Sequence, residues 1–371
     1  MFALLFFVVL GVSSVVATLD DSYTFQQYMA DHKLKYNSDE LSRREEMFNT
    51  EKARVLKHNA ANKSWKEGMN KFSIMTEDEK KTFLGRNKSL KKNHSPKFAK
   101  ALPEDFEMKS VSDLPKHVDW RDANIVSPVK DQGYCGSCWA FASTATMESH
   151  VAKATGLLYE FSPQQIASCS PNPQQCGGQG GCEGATAEIA FDYVASSVGL
   201  FEEFQFGYQS YFGVDQNCSL PTATSPKATI TGYVQLPTNN YAALMNAVAT
   251  QGPIAVSVDA DFGAYASGIY NGCDMSSPDI DHAVVLVGYG EDETTGEKYW
   301  LIRNSWSPGW GEKGYIRLHR SDDDEAYCGT DTTPSHGSAC IDEWDTPVKV
   351  CGTCGVLFDS SYPTGAKLVG N

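Results

Sequence analysis

Past its first 17 residues the sequence has no apolar run approaching the ~20 residues that a membrane-spanning helix needs, and past residue 113 it has little positive charge. The first absence leaves no later stretch long enough to span a bilayer as a helix. The second excludes a nucleic-acid partner: residues 114–371 carry 12 Lys/Arg against 30 Asp/Glu, whereas residues 18–113 carry 19 against 16. A mildly basic leader on a strongly acidic body reads as a separable segment that docks partly through charge. The acidity also fits an acidic medium, where protonation of carboxylates relieves self-repulsion.

The one long apolar run, MFALLFFVVLGVSSVVA, has a signal peptide's length and ends in the small-residue pattern Val15-Val16-Ala17. It reads as a signal peptide, residues 1–17. The alternative, a membrane anchor, lacks both the length and a flanking charge pattern. The expected route is the secretory pathway, ending in a lysosome or digestive vacuole or outside the cell. In that setting 11 cysteines read as a disulfide framework, and the odd count leaves one over. Asn-x-Ser sequons mark Asn62, Asn87, Asn93 and Asn217 as glycosylation candidates.

The leader reads as helical. Phe25, Tyr28, Met29 and His32 form one stripe, and Glu40, Arg44, Phe48, Glu51, Val55 and Asn59 another. The lysine-rich stretch 85–100 reads as an exposed linker. Past residue 114, CWAFASTATMESHVAKATG predicts a helix that starts almost at Cys138 and stops at Gly156. Later, short apolar runs at 253–258, 282–290, 298–306 and 314–318 predict strands. A helical first half and a β-rich second half imply two lobes with a cleft between them.

QGYCGSCWAF, residues 132–141, poses the chemical question. Two cysteines three positions apart can be a redox couple, half a metal site, two disulfide ends, or a nucleophile beside a structural cysteine. A thiol at a helix N-terminus near a histidine favours its thiolate. Cys138 has that helix position. His282 opens a predicted strand, and the next strand ends in Asn304-Ser305-Trp306, which offers an amide to orient an imidazole and an indole to cover it.

QGYCGSCWAF, DHAVVLVGYG and NSWSPGWGEKGYIRL, in that order, resemble a papain-family, cathepsin L-like cysteine protease preproenzyme, over about residues 23–363. The Cys-Gly-Ser-Cys-Trp element with His and Asn downstream is that family's known signature. The separations are 144 residues to His282 and 166 to Asn304, the second stretched by insertions such as EDETTGEK, 291–298. The resemblance implies an α+β fold: a helical left lobe (about 114–225), a β-barrel-like right lobe (about 226–371) and an inhibitory prodomain (18–113). VDWRDANIVSPVK puts the mature start near Leu114. Implied roles are Cys138 as nucleophile, His282 as its imidazolium partner, Asn304 as orienter, Trp306 as shield, and Gln132 in the oxyanion hole.

The same resemblance implies disulfides Cys135–Cys182, Cys169–Cys218 and Cys273–Cys354. Cys176, Cys328, Cys340 and Cys351 remain, in insertions at 170–181 and 321–350, with their pairing open. A zinc site shared by the two Cys-x-x-Cys elements is the alternative. Substrate-binding positions would be Gly184, Ala185, Asp281, Trp310 and Asp359. Ala185 replaces a usual glycine, and Asp359 falls where an acid lets relatives accept Arg as well as bulky apolar residues. In the leader, Glu51 stands where Asn is usual, and GMNKFSI (68–74) carries Ile74 in place of a motif acid, which questions that motif's acid sensing. The implied partners are peptide or protein substrates, the chain's own prodomain as inhibitor and cystatin-like inhibitors. The expectation is a monomer with no cofactor and no metal. Two alternatives to an endopeptidase remain: an exopeptidase with one end of the cleft blocked, and a catalytically dead binding protein.

Overall fold

Both stripes of the leader become helices. The computed structural model describes residues 21–85, 99–100, 102, 106–334, 337 and 346–370. The signal segment, Asn87, Asn93, Cys340 and most of the linker lie outside the described residues. Helix α1 (Phe25–Asp31) starts at a capping box between Thr24 and Gln27 and ends at His32. Helix α2 (Ser38–Ala60) is capped by the Asn37 side chain, which accepts from the N–H groups of Asp39 and Glu40. Its inner stripe sets Phe48 against Phe25, Tyr28 and Ile74, a small separate core.

Two polar residues of α2 carry the rest of the leader. Asn59 takes both backbone groups of Glu67, each at 2.9 Å, and so holds strand β1 (Trp65–Glu67) extended. Arg44, 5% exposed, donates to the Ile74 carbonyl at 2.6 Å and forks onto Glu79 at 2.7 and 2.5 Å. Glu79 belongs to helix α3 (Glu77–Lys81). The position where the resemblance led one to expect an acid is thus filled by a fully buried Ile74, and Glu79 supplies the countercharge to Arg44 five residues on.

Helices α4 (Cys138–Thr155), α5 (Pro163–Cys169) and α6 (Ala187–Ser196) form one layer. Every residue of α4 from 138 to 152 is buried, and Gly156 closes the helix at φ 74°, a conformation that suits glycine. The strands are β2 (Ala99–Lys100), β3 (Val118–Asp119), β4 (Ala228–Thr229), β5 (Gly232–Gln235), β6 (Ile254–Val258), β7 (Tyr265–Tyr270), β8 (His282–Glu291), β9 (Lys298–Arg303), β10 (Tyr315–His319), β11 (Cys328–Asp331), β12 (Val348–Cys351), β13 (Ser360–Thr364) and β14 (Lys367–Leu368), with helix α7 (Tyr241–Thr250) between β5 and β6.

The main sheet runs β1-β7-β10-β9-β8-β6-β13-β5-β2, with β3 also on β8. It is an open path rather than the expected barrel-like closure, and leader strands cap both edges, β1 on β7 and β2 on β5. Capping matters because an open edge leaves a row of unpaired backbone groups. α4 packs on one face through Trp139, Val285, Val287 and Leu301. A second core, with Leu244, Val256, Leu286, Trp300 and Ile316, fills the other side.

Three disulfides have the pairing that the resemblance implied. Cys328–Cys351 adds a fourth, directly across the β11–β12 hairpin of the 321–350 insertion. Cys176 is disulfide-bonded as well. Cys135, Cys351 and Cys354 each take part in a disulfide, an arrangement that leaves their sulfurs unavailable to the zinc alternative.

Arg44 pulls the Glu79 carboxyl down to about 2. A depressed carboxyl contributes stability above its unfolded value, near ~4.3, and loses it only as pH falls through about 2. Glu79→Gln should therefore lower the melting temperature of the Cys138→Ala proenzyme by a similar amount at neutral pH and at pH ~5. Equal melting of variant and parent at both would contradict the assignment.

Candidate active site

Two constraints deliver Cys138 to the head of α4. The Cys135–Cys182 bridge pins the preceding loop, and the Gly136 N–H donates to the Cys182 carbonyl at 3.1 Å. Gly136 has no room for a side chain: a Cβ there would lie 2.6 Å from the Leu84 carbonyl oxygen. The first turn of a helix leaves N–H groups unpaired and carries positive partial charge. The Ala283 N–H also donates to Cys138 Sγ, at 3.2 Å. Both features favour a thiolate. Among the described residues Cys138 is the cysteine that stands outside any disulfide.

His282 is the first residue of β8, and antiparallel pairing with β9 returns the chain to it, so that Asn304 stands beside it. His282 Nε2 lies 2.8 Å from Asn304 Oδ1. That oxygen also accepts the Ser305 N–H at 2.7 Å, which makes it the acceptor and assigns the imidazole proton to Nε2. Nδ1 has no hydrogen bond and keeps its lone pair. Trp306 stacks on the ring at 4.6 Å and 25°. Burial pushes the His282 pKa down to about 4, against the Asn304 bond, which raises it.

Gln132 is fully buried, and its amide is oriented from behind by the Ser305 hydroxyl, which donates to Oε1 at 2.6 Å. Its Nε2 donates to the Cys135 carbonyl and to the carbonyl of Phe83, both at 2.9 Å. Phe83 belongs to the leader, which lies in the cleft. Phe72 covers Trp306 at 4.8 Å, and Gly85 O accepts the Ala185 N–H at 3.1 Å. A Cβ on Gly85 would sit 2.5 Å from Cys138 Sγ, and one on Gly184 would sit 2.6 Å from Gly85 O. Glycine at 85 lets the leader pass flush against the thiol.

The remaining expected positions divide. Asp359 faces Ser257, whose hydroxyl donates to Oδ2 at 2.9 Å. Asp281 accepts the Ala260 N–H at 3.0 Å, and burial beside Asp259 and Asp279 holds its pKa well above the usual carboxylate range. Trp310 is 2% exposed and packs behind Trp306, with its indole N–H on the Gly263 carbonyl at 3.1 Å. Asn62 and Asn217 are exposed. Ser305, Ser257 and the Ala283 N–H escaped the sequence reading. Ser305 alone had a local signal, its place between Asn304 and Trp306.

Fold and cleft together define a class: a papain-like thiol protease with its own leader lying across the thiol, a zymogen. Comparison with known proteins agrees. Residues 114–338 match the profile of papain family cysteine proteases, and residues 25–79 match the cathepsin propeptide inhibitor domain (I29). Cathepsin L of Sarcophaga peregrina is 36% identical over 318 residues, covering 83% of this chain and 90% of its own. Cathepsin L2 of Homo sapiens is 36% identical over 340 residues, covering 88% and 96%. The digestive procathepsin L2 structure from Tenebrio molitor larval midgut superposes with a TM-score of 0.73 at 31% identity, covering 91% of this chain and 98% of that one. The chain belongs to the papain family, as a cathepsin L-like cysteine protease with an inhibitory propeptide.

The clearance at Gly85 gives a direct test. A methyl group at that site overpacks the contact, which typically costs ~1–3 kcal/mol. The Gly85→Ala prodomain added in trans should inhibit the mature enzyme roughly tenfold or more less tightly than the parent, since ~1.4 kcal/mol is tenfold. Equal inhibition constants would mean that the leader does not pass over Cys138 as described.

Proposed function

We propose that the matured chain is an endopeptidase in which Cys138 is the nucleophile, His282 its proton partner and Asn304 the residue that fixes the imidazole. The observation that carries this reading is the Gln132 amide, which already holds a peptide carbonyl, that of Phe83. In the reaction the Cys138 thiolate attacks the substrate carbonyl carbon, and the oxygen takes up charge against Gln132 Nε2 and the Cys138 N–H. The C–N bond breaks as His282 protonates the leaving amine. Water, giving its proton to His282, then attacks the thioester and restores the thiolate. Trp306 keeps the His282–Asn304 bond dry.

The leader escapes cutting through its direction. A productive substrate places the residue that precedes the attacked carbonyl toward Ala185, whereas Phe83 lies on Gln132 and the later residue Gly85 on Ala185. The reversed course inhibits without presenting a scissile bond correctly.

Acid release follows from His282 rather than from the motif position held by Ile74. In the precursor, burial holds the His282 pKa down at about 4, below the ordinary ~6.5, so a state in which the ring reaches solvent would bind the extra proton. To the extent that the leader supplies that burial, its hold is strongest above pH ~6.5 and weakens as pH falls toward 4. Asp259, raised to about 7 by burial, opposes this trend. The purified precursor should process itself at pH ~4 to 5; a precursor that stays uncleaved and inactive there rules out self-activation.

Asp359, held by Ser257, is proposed to floor the second acyl-side subsite and admit Arg beside bulky apolar residues. Asp359→Ala should reduce cleavage of an Arg-Arg reporter more than that of a Phe-Arg reporter; equal effects on both would remove the role. Gln132→Ala should lower kcat by ~10²–10³-fold. The proposed setting is a lysosome, a digestive vacuole or a secretion, with glycans on the exposed Asn62 and Asn217.

A further inference from the structure

Asp131 precedes Gln132 on the cleft rim, and its counterion belongs to the leader. Lys71 Nζ lies 3.0 Å from Asp131 Oδ1, with the two side chains 23% and 24% exposed. The carboxylate is built into the rim: its Oδ1 also accepts the Gly133 N–H at 3.0 Å, and its Oδ2 accepts the Tyr211 hydroxyl at 3.3 Å. The Lys71 ammonium sits 4.9 Å from the Phe83 ring centroid. Phe83 leans on Tyr134 at 5.0 Å, and Tyr134 stands edge-on to Tyr211 at 6.5 Å. The Tyr134 N–H donates to the Tyr211 carbonyl at 2.8 Å, and a Cβ on Gly133 would meet the Tyr211 ring at 2.7 Å, so the two tyrosines form one rigid ledge.

Along the leader the ledge is met with Phe83, whose carbonyl reaches Gln132, and Ala185 is met two residues later with Gly85. The leader reaches the cleft over Asp131 and Tyr134 with residues 71 and 83, touches Gln132 with the Phe83 carbonyl and leaves over Ala185 with Gly85. With Ala185 on the acyl side, which rests on the function proposed above, the ledge faces the leaving group. When the leader departs, Asp131 loses its ammonium partner, and Tyr134, already 40% exposed, loses the ring that covers it. A carboxylate fixed by two donors cannot turn away, and the tyrosine faces offer stacking area.

We propose that Asp131, with Tyr134 and Tyr211, forms a leaving-group-side subsite for a basic side chain adjoining an aromatic or bulky apolar one, the two groups that Lys71 and Phe83 present in the zymogen. Asp131 is here a specificity residue that touches substrate, and it has no part in bond making.

The test uses the acid-matured enzyme and internally quenched peptides with a constant acyl half, in which Lys, Gln or Glu is scanned through the first three leaving-group positions. At one position, at low salt, kcat/KM for Lys should exceed that for Glu roughly threefold to fivefold, the scale of a partly exposed ion pair, and the ratio should shrink in high salt. Asp131→Asn should bring the ratio to about one, and Asp131→Lys should invert it. Each ratio is taken within one enzyme, so a general loss of activity cancels. The salt series on the parent enzyme stands even if a variant fails to fold. A Lys/Glu ratio near one at all three positions, or one that Asp131→Asn leaves intact, overturns the subsite while the peptidase reading stands. Failure to cleave any peptide, with no labelling of Cys138 by a thiol-directed epoxide, overturns both.

Discussion

The zymogen is organised around one close approach, the backbone at Gly85 against the sulfur of Cys138. It is possible because residues 85, 136 and 184 are all glycine, each without space for a Cβ. Once those backbones meet, the Phe83 carbonyl falls on the Gln132 amide and the Gly85 carbonyl on the Ala185 N–H. The leader's own backbone thus occupies both of these cleft donors. Its remaining contacts hold that passage in register: Phe72 on Trp306, Asn70 Nδ2 on the Gly263 carbonyl at 2.6 Å, and β1 on β7.

Burial of His282 in the zymogen has an electrostatic consequence. A thiolate–imidazolium pair needs a protonated His282, yet the covered ring is pushed down to about 4 by desolvation. Burial and charge are therefore antagonistic at the same residue. The Arg44–Glu79 bridge behaves differently. With Glu79 held near 2, it keeps the leader's helices together across the range in which His282 begins to charge.

Local signals were readable where a single element sufficed. The start of α4 at Cys138 and its stop at Gly156 follow from composition and a C-cap glycine, and β8 and β9 lie on the apolar runs that predicted them. The catalytic candidates were legible through their motif, and the three family disulfides through resemblance. What escaped depends on distant chain meeting in space. Ser257 meets Asp359 across 102 residues, and Cys328 pairs with Cys351 through a hairpin that no periodicity announced. The exchange of a motif acid for Ile74, with Glu79 taking up the charge, shows only once Arg44 is seen buried. The open sheet escaped because its two edges are completed by leader strands far away in sequence.

The central claim, that the leader seals a thiol which is otherwise ready to react, is tested most directly by alkylation. Proenzyme and matured enzyme would be treated with a haloacetamide over pH ~4 to 8 and the labelled residue mapped. The account predicts rapid labelling of Cys138 at acidic pH in the matured enzyme, and labelling at least roughly a hundredfold slower in the proenzyme at neutral pH, where the cover is strongest. Equal rates in the two forms, or a label on any cysteine other than Cys138, would contradict it.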